Sequence, residues 1–194
     1  MSKVLHRKRI AILATDGFET AELFEPRSAL EAEGAETLVV SLSPGSIRGW
    51  SDDDWGPTVP VDVTVDQASP YEFDALLLPG GAMNPDKLRL NADAVRFVRG
   101  FFRASKPVGA ICHAPSLLVE ADVVQGRRLT SWPSIRTDLE NACAQWSDSE
   151  VVVDSGLVTS RMPSDLSAFS RKLIEEIAEG VHLQQAAKSG VCLL

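Results

Sequence analysis

The sequence predicts an α/β protein built on a mainly parallel, doubly wound sheet. Three observations carry this. Residues 73–79 (FDALLLP) and 107–112 (PVGAIC) are continuous apolar runs without alternation, as in strands covered on both faces. Between such runs lie amphipathic stretches, clearest at residues 91–104, where Ala94, Val95, Val98, Phe101 and Phe102 recur at helical spacing. Runs and stretches alternate as strand and helix along the chain, the order of an open parallel sheet with helices on both faces.

Each element follows from local signals. Residues 9–14 read as a buried strand, and residues 18–33 as a helix closed by Gly34. Residues 37–42 form a second strand. Residues 43–60 are rich in Gly, Pro, Asp and Trp and have no period. A structureless loop of that length is uncommon, so an ordered excursion or hairpin is expected. After 73–79 and the 91–104 helix, the strand at 107–112 runs directly into a helix at 114–121. Residues 135–144 read as a further helix, 151–153 and 157–159 as a hairpin around Ser155-Gly156, and Pro163 opens a last helix at 164–178. No repeat or linker interrupts the 194 residues, which suit one domain over 1–194.

Composition narrows the function. A net charge of −8 argues against a nucleic-acid surface, and the basic group Lys3, Arg7, Lys8, Arg9 reads as a solvated N-terminus. The apolar run at 10–14 is too short for a secretory signal and is broken by Asp16-Gly17. No run approaches a membrane span. Three cysteines, Cys112, Cys143 and Cys192, build no disulfide framework and fit a reducing compartment, so a cytoplasmic protein is expected. His6, His113 and His182 show no metal spacing, and no metal or other cofactor is expected.

Chemistry in such sheets collects beyond the carboxyl ends of the strands. Three segments fall there: Asp16 to Glu19, Gly80-Gly81, and Cys112-His113. Cys112 sits where a buried strand meets the start of a helix, a place that favours the nucleophilic thiolate, although a lone cysteine also serves as a small buried apolar residue. Asp16 and Glu19 fit a capping pattern, with Asp16 as N-cap and Glu19 reaching back. Glu19 also fits a carboxyl set against the Cys112 sulfur as a proton donor. His113 either activates the thiol or lies on the surface. Gly80-Gly81 either offers N–H groups to an oxyanion or makes a tight turn, and lacks the Gly-Lys-Ser/Thr of a phosphate loop.

Taken together, DGFETAEL (16–23), DALLLPGG (74–81), KPVGAICHAP (106–115), GRRLTSWPSIRTDLENA (126–142) and EVVVDSGLVTSRMPSDLSAF (150–169) resemble the PfpI branch of the ThiJ/PfpI superfamily, in family order over nearly the whole chain. The resemblance implies a flavodoxin-like three-layer sandwich, a ThiJ/PfpI-like (class I glutamine amidotransferase-like) domain, and a homo-oligomer of two or more copies. It matches Cys112 to the family nucleophile on a strained turn, Glu19 to the carboxyl that touches the sulfur, and His113 to the following histidine. It matches Gly81 and the His113 N–H to oxyanion donors, and Trp132 to an aromatic beside the pocket. Two departures stand out. The archaeal protease pattern places an arginine and a glutamate after the double glycine, and the glutamate reaches the histidine of a neighbouring subunit. Here Ala82-Met83-Asn84-Pro85-Asp86 follows, with Asp86 as the candidate replacement, one residue further on and shorter. Cys143 stands where the family has glycine. Related amidotransferases need a downstream His-x-Glu; the one later histidine, His182, precedes Leu183-Gln184, which excludes that activity.

The resemblance implies activities described for the family: protease, glyoxalase or deglycase acting on methylglyoxal and its adducts, chaperone, and oxidative-stress protein. The leading expectation is a stress-response thiol enzyme acting on small reactive carbonyls or modified proteins through Cys112, with Glu19 and His113 moving protons. The alternatives are an oligomeric cysteine peptidase and a non-enzymatic sensor in which Cys112 is oxidised.

Overall fold

The computed structural model describes residues 3–187. In chain order the elements are β1 (Arg9–Leu13), β2 (Phe18–Glu19), α1 (Thr20–Ala32), β3 (Glu36–Ser41), β4 (Ser46–Ser51), β5 (Asp54–Pro60), β6 (Val63–Thr64), β7 (Ala75–Leu78), α2 (Met83–Arg89), α3 (Ala92–Arg103), β8 (Val108–Ile111), α4 (Pro115–Glu120), β9 (Arg128–Leu129), α5 (Arg136–Asn141), β10 (Gln145–Trp146), β11 (Val151–Asp154), β12 (Leu157–Ser160), α6 (Leu166–Glu179) and α7 (Gln184–Ala187). The central sheet runs β11-β12-β8-β7-β1-β3-β6, parallel throughout except for β11, which pairs antiparallel with β12.

Alternation along the buried strands divides the core in two. Ala11, Leu13, Leu76, Leu78, Val108 and Ala110 face one side, where α3, α4 and α5 cover them. Ile10, Ile12, Ala75, Leu77, Ile111 and Val158 face the other, covered by α1 and α6. The result is the expected three-layer sandwich, with strands apolar on both faces because both are buried.

The aperiodic stretch after β3 is the antiparallel hairpin β4–β5, and β2 adds to it in parallel as a small second sheet. This pairing accounts for one difference from the sequence reading. Phe18 and Glu19 are held extended against Gly49 and Trp50, so α1 starts at Thr20. Asp16 is therefore not a helix cap; its carboxylate accepts the Arg48 N–H at 2.7 Å. The hairpin at Ser155-Gly156 is as expected, with both residues at positive φ, 53° and 85°, as a two-residue turn of this twist requires. Helix α2 carries no sequence signal of its own: it is short, contains Pro85, and is anchored by Asn84, whose fully buried amide accepts the Thr15 N–H and donates to Pro79 O and Gly80 O. Cys143, at φ 63° after α5, takes the left-handed conformation that suits the family's glycine there. It is also disulfide-bonded, a single bridge that the reading of three sparse cysteines as fitting a reducing compartment does not anticipate; Cys112 is the free cysteine among the described residues.

Candidate active site

Because β1, β7 and β8 are parallel neighbours, their carboxyl ends bring the first loop, the double glycine and Cys112 to one edge of the sheet. Cys112 leaves β8 at φ 62°, a conformation uncommon for any residue with a Cβ, and is buried. Its N–H donates to Ser160 O at 3.0 Å, and its carbonyl accepts the Trp132 N–H at 2.8 Å. The backbone N–H groups of Gly81 and His113 point at the sulfur.

The carboxyl that meets this sulfur belongs to Glu22, not Glu19. Glu22 is fully buried, and its Oε2 accepts the Gly80 N–H at 2.9 Å. A side-chain hydrogen bond links it to Cys112, and its Oε1 is buried without a nitrogen or oxygen partner. Glu19 misses the position because it lies on β2, before the helix. Glu22 lies in the first turn, on the buried stripe it shares with Pro26 and Leu30 at i+4 and i+8. That stripe is the overlooked signal: helical spacing alone places a glutamate among core residues. Glu19 is half-buried just outside, with its pKa raised by partial burial and by the charge of Asp52 against the N–H groups of Ala21 and Thr20.

The double glycine serves the carboxyl–thiol pair by its lack of side chains. A Cβ on Gly80 would stand 2.6 Å from Glu22 Oε2 and 2.7 Å from both Cys112 Cβ and Ile111 O. Gly81 has φ 80°, and a Cβ there would meet Gly17 O at 2.5 Å. Gly80 offers no free N–H to an oxyanion, since Glu22 holds it; the N–H of the pair that is directed at the sulfur is that of Gly81.

Burial dominates the electrostatics. It pushes the Glu22 carboxyl up to about 8, against the Gly80 N–H and with the charge of Glu19 adding to the rise. Burial also raises the Cys112 thiol, followed by the charge of Glu22, with the Gly81 and His113 N–H groups pulling the other way. The expectation that the helix start alone favours the thiolate is thus corrected: desolvation and a neighbouring carboxylate outweigh the N–H groups. Thiolate and carboxylate disfavour each other in one buried site, so the pair holds at most one negative charge near neutral pH.

His113 is drawn in rather than left on the surface. Its Nδ1 lies 3.1 Å from Cys112 Sγ, its Nε2 lies 3.2 Å from Ser134 Oγ, and its ring stacks on Trp132 with centroids 5.9 Å apart. Burial lowers its pKa, which keeps the imidazole neutral. The sequence reading missed Ser134, which follows Trp132 on a short turn and carries no spacing rule. Asp86 sits exposed in the first turn of α2. The one grouping of metal-ligand type among the described residues is Glu176, Glu179 and His182, whose ligand atoms lie within 4.8 Å of one another. His182 Nε2 already meets Glu176 O at 3.1 Å and Glu176 Oε2 at 3.3 Å, and the His182 N–H donates to Ser105 O. Ser105 precedes β8, so this group lies at the opposite edge of the sheet from Cys112.

A parallel three-layer sandwich with a cysteine on a left-handed strand-to-helix turn, a buried glutamate at its sulfur and a histidine next in sequence defines a class of thiol proteins. The chain belongs to the DJ-1/PfpI family, whose model matches residues 8–176. It is 46% identical over 167 residues to a deglycase of Pyrococcus abyssi, covering 86% of this chain and 98% of the relative. It is 44% identical over 169 residues to protein/nucleic acid deglycase 2 of Escherichia coli, covering 86% and 96%. Among solved structures, a two-domain protein of Anabaena variabilis with DJ-1/ThiJ/PfpI-like and ferritin-like domains superimposes with a TM-score of 0.82 at 34% identity. That match covers 88% of this chain and 48% of the larger one, so the chain spans about half of that protein. Drosophila melanogaster DJ-1beta superimposes with a TM-score of 0.80 at 27% identity, covering 93% and 96%. No helix among the described residues is long and apolar enough to cross a membrane.

Proposed function

We propose that the protein is a cysteine-dependent deglycase or glyoxalase-like stress enzyme, acting on small reactive carbonyls or their adducts on proteins through Cys112. The observation that carries this is the buried free thiol at φ 62° with His113 Nδ1 at 3.1 Å and the Glu22 carboxyl at the same sulfur. The deglycase relatives, which match over most of their own length, support it.

In the addition step Cys112 Sγ bonds to the carbonyl carbon, and the C=O π bond becomes a C–O bond. The thiol proton passes to His113 Nδ1, and the new oxygen is protonated from His113 or Glu22. The Gly81 and His113 N–H groups, directed at the sulfur, are the donors next to the carbon it attacks and are assigned to the oxygen as it gains charge. Both proton carriers suit neutral pH, because His113 is neutral and Glu22 holds its proton up to about 8.

The test is to incubate the protein with methylglyoxal and, separately, with a methylglyoxal-modified lysine or arginine peptide, with and without prior iodoacetamide treatment. Carbonyl consumption or release of the unmodified peptide, lost after alkylation, is expected. Cleavage of unmodified peptides in its place would move the assignment to a peptidase. Peroxide-dependent gain of oxygen at Cys112 with no turnover would move it to a sensor, which the Glu22 hydrogen bond to the sulfur also suits.

The same reading includes a cytoplasmic setting and assembly into a homodimer or larger symmetric oligomer, with exposed Asp86 as a group that reaches a neighbouring copy. Light scattering at micromolar concentration that gave only the 21.0 kDa monomer would remove the oligomer from it.

A further inference from the structure

We propose that Ser134 is the positioning residue of His113: its hydroxyl holds Nε2 at 3.2 Å so that Nδ1 faces the Cys112 sulfur at 3.1 Å, and the chain thereby orients its histidine from within a single subunit. The mechanistic part of this inference rests on the thiol chemistry proposed above; the orientation itself does not.

A hydroxyl both donates and accepts, so the Ser134 contact at 3.2 Å sets the orientation of the ring, and the sulfur on the other side selects the tautomer: a thiol that donates its S–H to Nδ1 across 3.1 Å leaves the one imidazole proton on Nε2, donated to Ser134 Oγ. Nδ1 is then free to take the thiol proton when Sγ attacks. The passing imidazolium donates from both nitrogens, to the new oxyanion or sulfur on one side and to Ser134 on the other. No proton is lost from the site in this exchange: it leaves S–H, rests on Nδ1 and ends on the substrate oxygen.

The segment around Ser134 is built for this. The Trp132 N–H donates to Cys112 O at 2.8 Å, which ties the segment to the nucleophile residue itself. The Trp132 ring covers one face of His113, and Ser134, on the turn Pro133–Ile135, holds its outer edge. Trp146 Nε1 donates to Ser131 Oγ at 3.0 Å, bracing the segment from behind. A hydroxyl suits the place because it accepts from the resting tautomer and from the imidazolium alike, and it is exposed to solvent.

The experiment compares the parent with Ser134→Ala and Ser134→Thr in three readouts. These are the ¹⁵N shifts of the His113 ring, the pH profile of Cys112 alkylation by iodoacetamide, and kcat and KM for methylglyoxal. The parent is expected to show His113 protonated at Nε2. Ser134→Ala is expected to raise the Nδ1–H tautomer, change the alkylation profile and lower kcat roughly 10-fold, a part of the 10²–10⁴ a positioned base supplies, with KM nearly unchanged. Ser134→Thr is expected to restore all three. Unchanged ring shifts and an unchanged alkylation profile in Ser134→Ala would overturn the proposal. The first two readouts need no substrate. If they move while no variant turns over methylglyoxal, the orientation by Ser134 stands and the carbonyl reading falls.

Discussion

Cys112→Ser is expected to abolish carbonyl turnover while leaving the fold in place. The exchange alters one buried atom. The left-handed backbone, the Ser160 and Trp132 hydrogen bonds and the Glu22–Gly80 contact do not depend on it. A hydroxyl next to a neutral imidazole is far harder to ionise than a thiol, and its attack would need a stronger base than His113, whose pKa burial has lowered. Loss of a nucleophile that acts as a unit with its base costs on the order of 10³–10⁶-fold. The stability change should stay within about 1–2 kcal/mol. Assays of methylglyoxal consumption beside thermal melts on the purified variant check both. Peroxide-dependent gain of oxygen at this position should vanish in the same variant. Residual turnover within 10-fold of the parent would mean that another group attacks the carbonyl, and the nucleophile assignment would fail.

Much of this was legible in the sequence, and the reasons are local. Continuous apolar runs gave away β7 and β8 because both faces of the sheet are covered. The strand-to-helix junction exposed Cys112, whose positive φ follows from the sharpness of that turn. The failures have one cause, which is tertiary pairing. Glu19 looked like the sulfur's neighbour as long as the helix was read from residue 18. Only the pairing of Phe18–Glu19 with β4 shifts the start and hands the place to Glu22. Nothing in the local pattern around Asn84 or Ser134 announces them, because each acts on a group distant in sequence: Asn84 on Thr15, and Ser134 on His113. The thiol's resting state was misread for a similar reason. A helix start is visible in sequence, whereas the burial that outweighs it is not.

Glu22→Gln is expected to make the protein's stability less sensitive to alkaline pH and to change the reactivity of Cys112 in the same pH range. Glu22 has a pKa of about 8 in the folded chain against 4.5 when free, so the folded state keeps a proton that the unfolded state releases. Between those values the folded protein binds more protons than the unfolded one, and stability falls as pH rises. The loss approaches about 1.4 kcal/mol per pH unit for this group alone, is complete above its folded pKa and is absent below pH 4.5. Glutamine cannot ionise, so the variant should gain on the parent steadily from pH 5 to pH 8, as read by denaturant melts at each pH. The thiol should follow. Above pH 8 the parent's Cys112 faces a carboxylate that resists its ionisation, whereas the variant's amide presents no charge and its NH₂ can donate to the sulfur. Alkylation of Cys112 in Glu22→Gln should therefore rise at lower pH than in the parent, while turnover at neutral pH falls because the protonated carboxyl no longer supplies its proton. Parallel stability curves would show that Glu22 is ionised throughout this range, and superimposable alkylation profiles would show that its carboxyl does not act on Cys112; either result would remove its place as the proton holder beside the sulfur.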